Sequence, residues 1–147
     1  EQFYCAIASS FMLSADNAHA VHPHHPQKTD ATNCVYMNEG IVVKSHAGQK
    51  YTSDAVSIAV FKDLCKKANV PVQFFANRSD EAGGSTLGNI AMAQVSMNSV
   101  DIGLPQLAMH STYETAGIKD TYYMIQVMTE FFNSHISEVN SHSLKVD

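Results

Sequence analysis

The chain has 147 residues, 45% of them apolar, and carries 9 Lys and Arg against 14 Asp and Glu for a formal charge of −5. That is enough for one packed domain, at the lower edge of what a layered α/β enzyme needs. The acidic balance and the scattered cations offer no basic stripe for a phosphate backbone, which excludes nucleic acid as an expected partner.

Residues 11–15 and 41–44 are short apolar runs that predict strands buried on both faces. Between them, residues 21–40 form a polar loop broken by Pro23 and Pro26 and carrying His22, His24 and His25, long enough to be functional. Residues 51–68 predict a helix: Val56, Val60 and Leu64 fall at i, i+4 and i+8, while Lys62, Lys66 and Lys67 face out or weight the C-terminal end. Residues 70–75 predict a third strand, followed by Asn77-Arg78-Ser79-Asp80 and the turn Gly83-Gly84. From that turn Ser85 is expected to cap a helix running through Met92 and Ala93.

Residues 99–103 predict a fourth strand, and a proline turn at Pro105 then leads to His110. A last helix is expected with Asp120 as N-cap and Thr121, Ile125, Met128 and Phe132 as its apolar stripe, fraying into residues 137–147. Strands alternating with helices predict an α/β layered domain with a largely parallel sheet and polar residues gathered in the loops at strand ends. Neither an internal repeat nor a linker interrupts it.

Cys5, Cys34 and Cys65 form an odd set without a C-x-x-C pair, which suits a reducing compartment and points to the cytoplasm. No stretch is apolar enough to span a membrane, and the first residues lack the basic region of a signal peptide, so a soluble chain without a membrane partner is expected.

Asp16 and His110 both follow predicted strands, so a parallel sheet would bring them to one edge, where a divalent ion bound at ~2.0–2.2 Å would recruit them. The competing readings are a turn aspartate and a surface histidine. His22, His24 and His25 have no spacing that makes them converge and read as a solvated loop with at most adventitious nickel or zinc binding. Gly83-Gly84-Ser85-Thr86-Leu87-Gly88 matches neither G-x-x-x-x-G-K-[ST] nor G-x-G-x-x-G and reads as a glycine-permitted turn into a helix, with Arg78 and Asp80 as an ion pair fixing it. Lys44 reads either as an edge lysine with its amine in water or as a charge facing an acidic ligand. The absence of G-x-S-x-G and H-E-x-x-H gives serine-hydrolase and zincin chemistry no support.

Four blocks in order carry a family resemblance. Ser14-Ala15-Asp16-Asn17-Ala18-His19-Ala20-Val21-His22-Pro23 resembles the S-A-D-M-A-H-A-x-H-P-N block of the aspartyl aminopeptidase family, cytosolic dinuclear-zinc exopeptidases related to vacuolar aminopeptidase I. Ile41-Val42-Val43-Lys44 with Gln49-Lys50-Tyr51 is similar to its V-I-K-x-N-x-x-Q-R-Y. Arg78 through Gly88 is similar to its R-x-D-x-P-x-G-S-T-I-G, and Leu107-Ala108-Met109-His110-Ser111 is its L-A-M-H-S. The likeness runs from residue 11 to about residue 132 and corresponds to the C-terminal part of the family's catalytic domain.

The resemblance implies a three-layer αβα sandwich, incomplete here, and removal of N-terminal residues, acidic ones among them, from peptides. It makes Asp16 the carboxylate ligand of one zinc and His110 the imidazole ligand of its neighbour, in a pair ~3.5–4 Å apart. His19 would lie near the substrate, Lys44 would face an acidic side chain, Met109, Gly84 and Ser85 would line the pocket, and His22 would support the loop or the assembly. The family's general-base glutamate and remaining ligands have no counterpart in the 147 residues, so the chain by itself is expected to be inert, and a homo-oligomer is expected.

Asn17, His24-His25, Asn33, Lys50 and Glu81-Ala82 depart from the family pattern and leave substrate preference open. The alternative from another class is a non-catalytic α/β module that binds a partner or self-assembles. A weaker one is nucleotide binding at Gly83-Gly84.

Overall fold

The structure, a computed structural model, describes residues 1–140 and 143–147. In chain order the elements are helix α1 (Gln2–Ala8), strand β1 (Phe11–His19), strand β2 (Ile41–Ser45), helix α2 (Ala55–Lys67), strand β3 (Val72–Ala76), helix α3 (Leu87–Gln94), strands β4 (Asn98–Leu107) and β5 (Thr115–Ala116), helix α4 (Ile118–Asn133), and strands β6 (Ile136–Asn140) and β7 (Ser143–Val146).

The main sheet runs β1-β4-β2-β3, with β5 added to the end of β4. β1 and β4 are parallel from Phe11↔Asn98 to His19↔Gln106, and β2 and β3 are parallel from Ile41↔Val72 to Ser45↔Ala76. The two parallel pairs are joined by an antiparallel junction, Val42↔Gly103 and Val43↔Ile102. The sheet is thus mostly parallel, and the junction places β2's carboxyl end opposite the middle of β4.

Strand alternation sorts the side chains into two layers. Ile41 and Val43 of β2 with Val100 and Ile102 of β4 pack against Val60, Phe61, Leu64 and Cys65 of α2 and Val127 of α4. On the other face Ala18, Val35, Val42 and Phe75 form a smaller cluster with Tyr51. The start of α3 lies on that second face, where the Gly88 N–H donates to Ser14 Oγ at 3.1 Å. A Cβ at Gly88 would come within 2.6 Å of that oxygen, so only glycine lets the helix sit so close. Helices therefore cover both faces, giving the αβα layering.

Several elements differ in extent or phase from expectation. Asp16 lies inside β1, not after it, because β4 offers a hydrogen-bonding ladder as far as Gln106. Pro105 is likewise inside β4, beyond the last β2 rung, where its missing N–H costs no ladder bond. α2 begins at Ala55, since Asp54 and Ser57 form a reciprocal capping box. α3 starts after Thr86, not Ser85, and α4 after Gly117, not Asp120.

Asp120 is instead buried in the first turn of α4, accepting from the N–H groups of Asn38 at 2.5 Å and Gly40 at 3.0 Å. That anchor sets the phase of α4: Val127 is buried with Tyr123, Met124 and Phe131 partly so, while Ile125 and Phe132 of the expected stripe are exposed. The expected fray after α4 is replaced by the β6–β7 hairpin, tied to α2 by Lys67 Nζ donating to the Val146 carbonyl at 2.8 Å; residues 141 and 142 lie outside the described residues.

Candidate active site

Sequence blocks as far apart as Asp16 and His110 meet at one cavity of about 430 Å³ on the second face of the sheet. Its walls include Asp16 and His19 of β1, Lys44 of β2, Tyr51 after β2, Gly84 and Ser85 before α3, and Met109 and His110 after β4. His22 and His25 stand at the same cavity, while His24 is exposed beside them. Asp16, His19, Lys44, Gly84, Ser85, Met109 and His110, the residues the resemblance assigns to metal or substrate, therefore border one space.

Asp16 and His110 are both exposed there, so their ligating atoms are open to groups from outside the 147 residues. Asp16 Oδ1 accepts from the Asn17 N–H at 2.6 Å, which fixes the carboxylate at the strand. His110 is presented by a turn in which Ala108 and His110 adopt φ of +57° and +67°, and its N–H donates to Glu114 Oε1 at 2.6 Å. Left-handed backbone at two non-glycine residues costs energy, and such strain recurs at functional sites.

Lys44 is buried at 2% exposure, which removes the edge-lysine reading with its amine in water. Its Nζ donates to the Asn17 carbonyl at 3.2 Å and lies 5.3 Å from the centre of the Tyr51 ring, within cation–π range. Burial lowers the ammonium pKa, opposed by the carboxylates of Asp16 and Asp101. The His19 imidazole, though exposed, is also held below its ordinary value, first by partial desolvation and then by the nearby cationic forms of His110 and Lys44. A neutral His19 can donate from one nitrogen and accept at the other.

The loop over the cavity is built from short-range polar bonds. Asp30 Oδ1 accepts from Thr32 N, Asn33 N and Asn33 Nδ2 at 2.8–3.0 Å. Arg78 pairs with Asp80 and also donates to the Gln27 carbonyl, so the expected ion pair ties this loop to the turn after β3. That turn needs no left-handed glycine, since neither Gly83 nor Gly84 has a positive φ. A Cβ at Gly83 would meet Asn77 Nδ2 at 2.8 Å, so a larger residue there would push the Asn77 side chain aside.

Tyr51 and Asp101 are not among the residues picked out from the sequence. Tyr51 reads there as the start of a helix, and Asp101 as one member of a strand. The available signal for Asp101 is a lone carboxylate inside an apolar strand run, which has to find a partner.

Carboxylate oxygen and imidazole nitrogen are the donor types zinc takes, so Asp16 and His110 fit that ion in kind. Among the described residues no three His, Cys, Asp or Glu side chains converge to hold a metal, so in number the donors fall below a complete site. No helix among the described residues is long and apolar enough to cross a membrane.

Comparison with known proteins identifies the lineage of this site. Residues 1–132 match the family model for aminopeptidase I zinc metalloproteases, M18. A probable M18 family aminopeptidase 2 of Clostridium novyi is 53% identical over 133 residues, 90% of this chain and 31% of that protein. The cryo-EM structure of the Ape4 and Nbr1 complex superposes with a TM-score of 0.86 at 38% identity, covering 88% of this chain and 25% of that one. The S. cerevisiae mApe1 dodecamer superposes with a TM-score of 0.78 at 26% identity, covering 88% and 28%. The chain spans about a third of the length of the curated relatives it matches. It belongs to the M18 family of aminopeptidase I zinc metalloproteases.

Proposed function

We propose that the chain is the C-terminal portion of a zinc aminopeptidase catalytic domain, contributing one ligand to each of two metal ions and the wall that receives the substrate's N-terminal side chain. The observation that carries this is the meeting of Asp16, His19, Lys44, Gly84, Ser85, Met109 and His110 at one cavity, in a chain of M18 descent. Asp16 and His110 would hold the zinc ions, which when bound polarise a scissile carbonyl and acidify water. Among this chain's residues, Lys44 offers a desolvated ammonium to an acidic side chain, and His19 a neutral imidazole to the peptide's polar groups. Met109 and the Gly84-Ser85 turn close the space around them.

A general base and the remaining ligands are assigned to groups outside these 147 residues, so peptide hydrolysis belongs to the larger assembly. That no three metal-ligating side chains converge among the described residues favours this division of labour. The three cysteines carry no disulfide, which supports a reducing, cytoplasmic setting.

Homo-oligomerisation, named for the dodecameric yeast relative, is supported here by exposed Ile118, Tyr122, Ile125 and Phe132 along α4. The same surface favours the alternative of a binding module. Calorimetric zinc titration tests the metal assignment. Weak binding is expected from so few ligands, reduced in Asp16→Ala and in His110→Ala and lost when both are replaced. Binding that survives both substitutions rejects the assignment, and aspartyl-anilide turnover by the isolated chain rejects the placement of the base elsewhere.

A further inference from the structure

Lys44 and Asp101 oppose each other across the antiparallel junction, one rung beyond Val43↔Ile102, so their side chains share a face of the sheet. Both are buried, Lys44 at 2% and Asp101 at 0% exposure, yet only Lys44 borders the cavity. Asp101 stands behind it. Its Oδ2 accepts from the Thr52 N–H at 2.6 Å and from Thr52 Oγ1 at 3.0 Å, and its N–H donates to Ser53 Oγ at 2.9 Å. Its Oδ1 is enclosed and takes no hydrogen bond among the described residues. The segment that carries the Tyr51 ring into the cavity is thereby fastened to β4 through Asp101.

A buried carboxylate with one unpaired oxygen is costly unless a nearby charge compensates it. The charged and titratable groups around Lys44 are Asp16 and His19 from β1, Tyr51 after β2 and Asp101 from β4. A carboxylate that serves a divalent ion spends its charge there, which leaves Asp101 as the counter-charge to Lys44. We infer that Asp101 is a positioning residue for recognition of an acidic substrate side chain, balancing the Lys44 ammonium from behind and pinning the Tyr51 wall beside it. The inference rests on the reading of Lys44 as the partner of that side chain.

The test is NMR titration of the 147-residue chain with the dipeptides Asp-Ala and Leu-Ala, comparing wild type with Asp101→Asn, which keeps shape and an acceptor for Thr52 but loses the charge. Wild type prefers Asp-Ala, and Asp101→Asn cuts that preference about tenfold while Leu-Ala binding stays within twofold, a split that general loosening does not produce. In a Lys44→Met background the same change has no further effect. If Asp101→Asn fails to fold, Asp101→Ser, smaller and still able to accept from Thr52, carries the same expectation. A discriminating wild type whose preference survives loss of the Asp101 charge overturns the positioning role. A wild type that does not discriminate overturns the reading of Lys44 itself, and with it the inference.

Discussion

Lys44 Nζ donates to the carbonyl of Asn17, the residue next to Asp16, so the buried cation of β2 is tied to the stretch of β1 that presents the candidate metal ligand. The proposed substrate wall and the proposed metal edge thus form one mechanical unit. Lys44 is held there at the expense of desolvation, as its lowered pKa records. Lys44→Met leaves the buried Asp101 carboxylate without its counter-charge and is therefore expected to cost about 3–5 kcal/mol of stability while abolishing the preference for Asp-Ala. Thermal unfolding alongside the dipeptide titration checks both halves; unchanged stability means that Lys44 does not compensate Asp101.

Gly88 sets how closely α3 approaches the cavity face. Gly88→Ala would drive a methyl into the Ser14 side chain and to within 3.3 Å of Asp101 Oδ1. The expected cost is about 1–3 kcal/mol, read by urea denaturation, with chemical-shift changes concentrated at Ser14, Asp101 and Lys44. Unchanged stability would place α3 farther from the sheet than described.

Asp120 anchors the loop that precedes β2, and burial raises its pKa despite the two backbone N–H groups that favour its charged form. A carboxyl whose pKa is higher folded than unfolded holds more protons in the folded state. Its contribution is then full below the unfolded value of about 3.9 and is lost as pH rises through the folded value. In the same window Asp120→Asn is expected to lack this decline, so its stability relative to wild type increases as pH rises. Denaturation series from pH 3 to pH 6 measure the difference; a relative stability that falls with pH contradicts the sign.

Cys65 is buried against the main core and its thiol is pushed up to about 12, whereas Cys5 and Cys34 are exposed. A thiol-reactive disulfide reagent at pH 8 is expected to modify Cys5 and Cys34 promptly, and Cys65 only on unfolding. Rapid modification of Cys65 in the native chain would show that α2 does not pack as described.

The order β1, β2, α2, β3, α3, β4, α4, an α/β layered fold and the site blocks are legible in the sequence because apolar alternation and short motifs are local properties, whereas α1, β5 and the β6–β7 pair are not. What is not legible is set by partners distant in the chain. β1 reads as ending at residue 15 because Asp16, Asn17 and His19 are polar, yet β4 continues the ladder beside them. α4 reads with its stripe at Thr121, Ile125, Met128 and Phe132, while the buried side runs through Asp120 and Val127, a rotation imposed by the bond from Asn38. Asp101 is passed over because its importance comes from facing Lys44 across an antiparallel junction that a largely parallel sheet does not announce.

Zinc titration followed by residue-resolved NMR decides whether Asp16 and His110 take the metal. The histidine-rich loop is the built-in rival, since the His22 ring centroid lies 6.0 Å from that of His24 and 5.2 Å from that of His25, where zinc could bind adventitiously. The first signals expected to move are those of Asp16 and His110, and alanine at either position removes its own response while that of the other persists. Early shifts confined to His22, His24 and His25, with Asp16 and His110 unmoved, would contradict it.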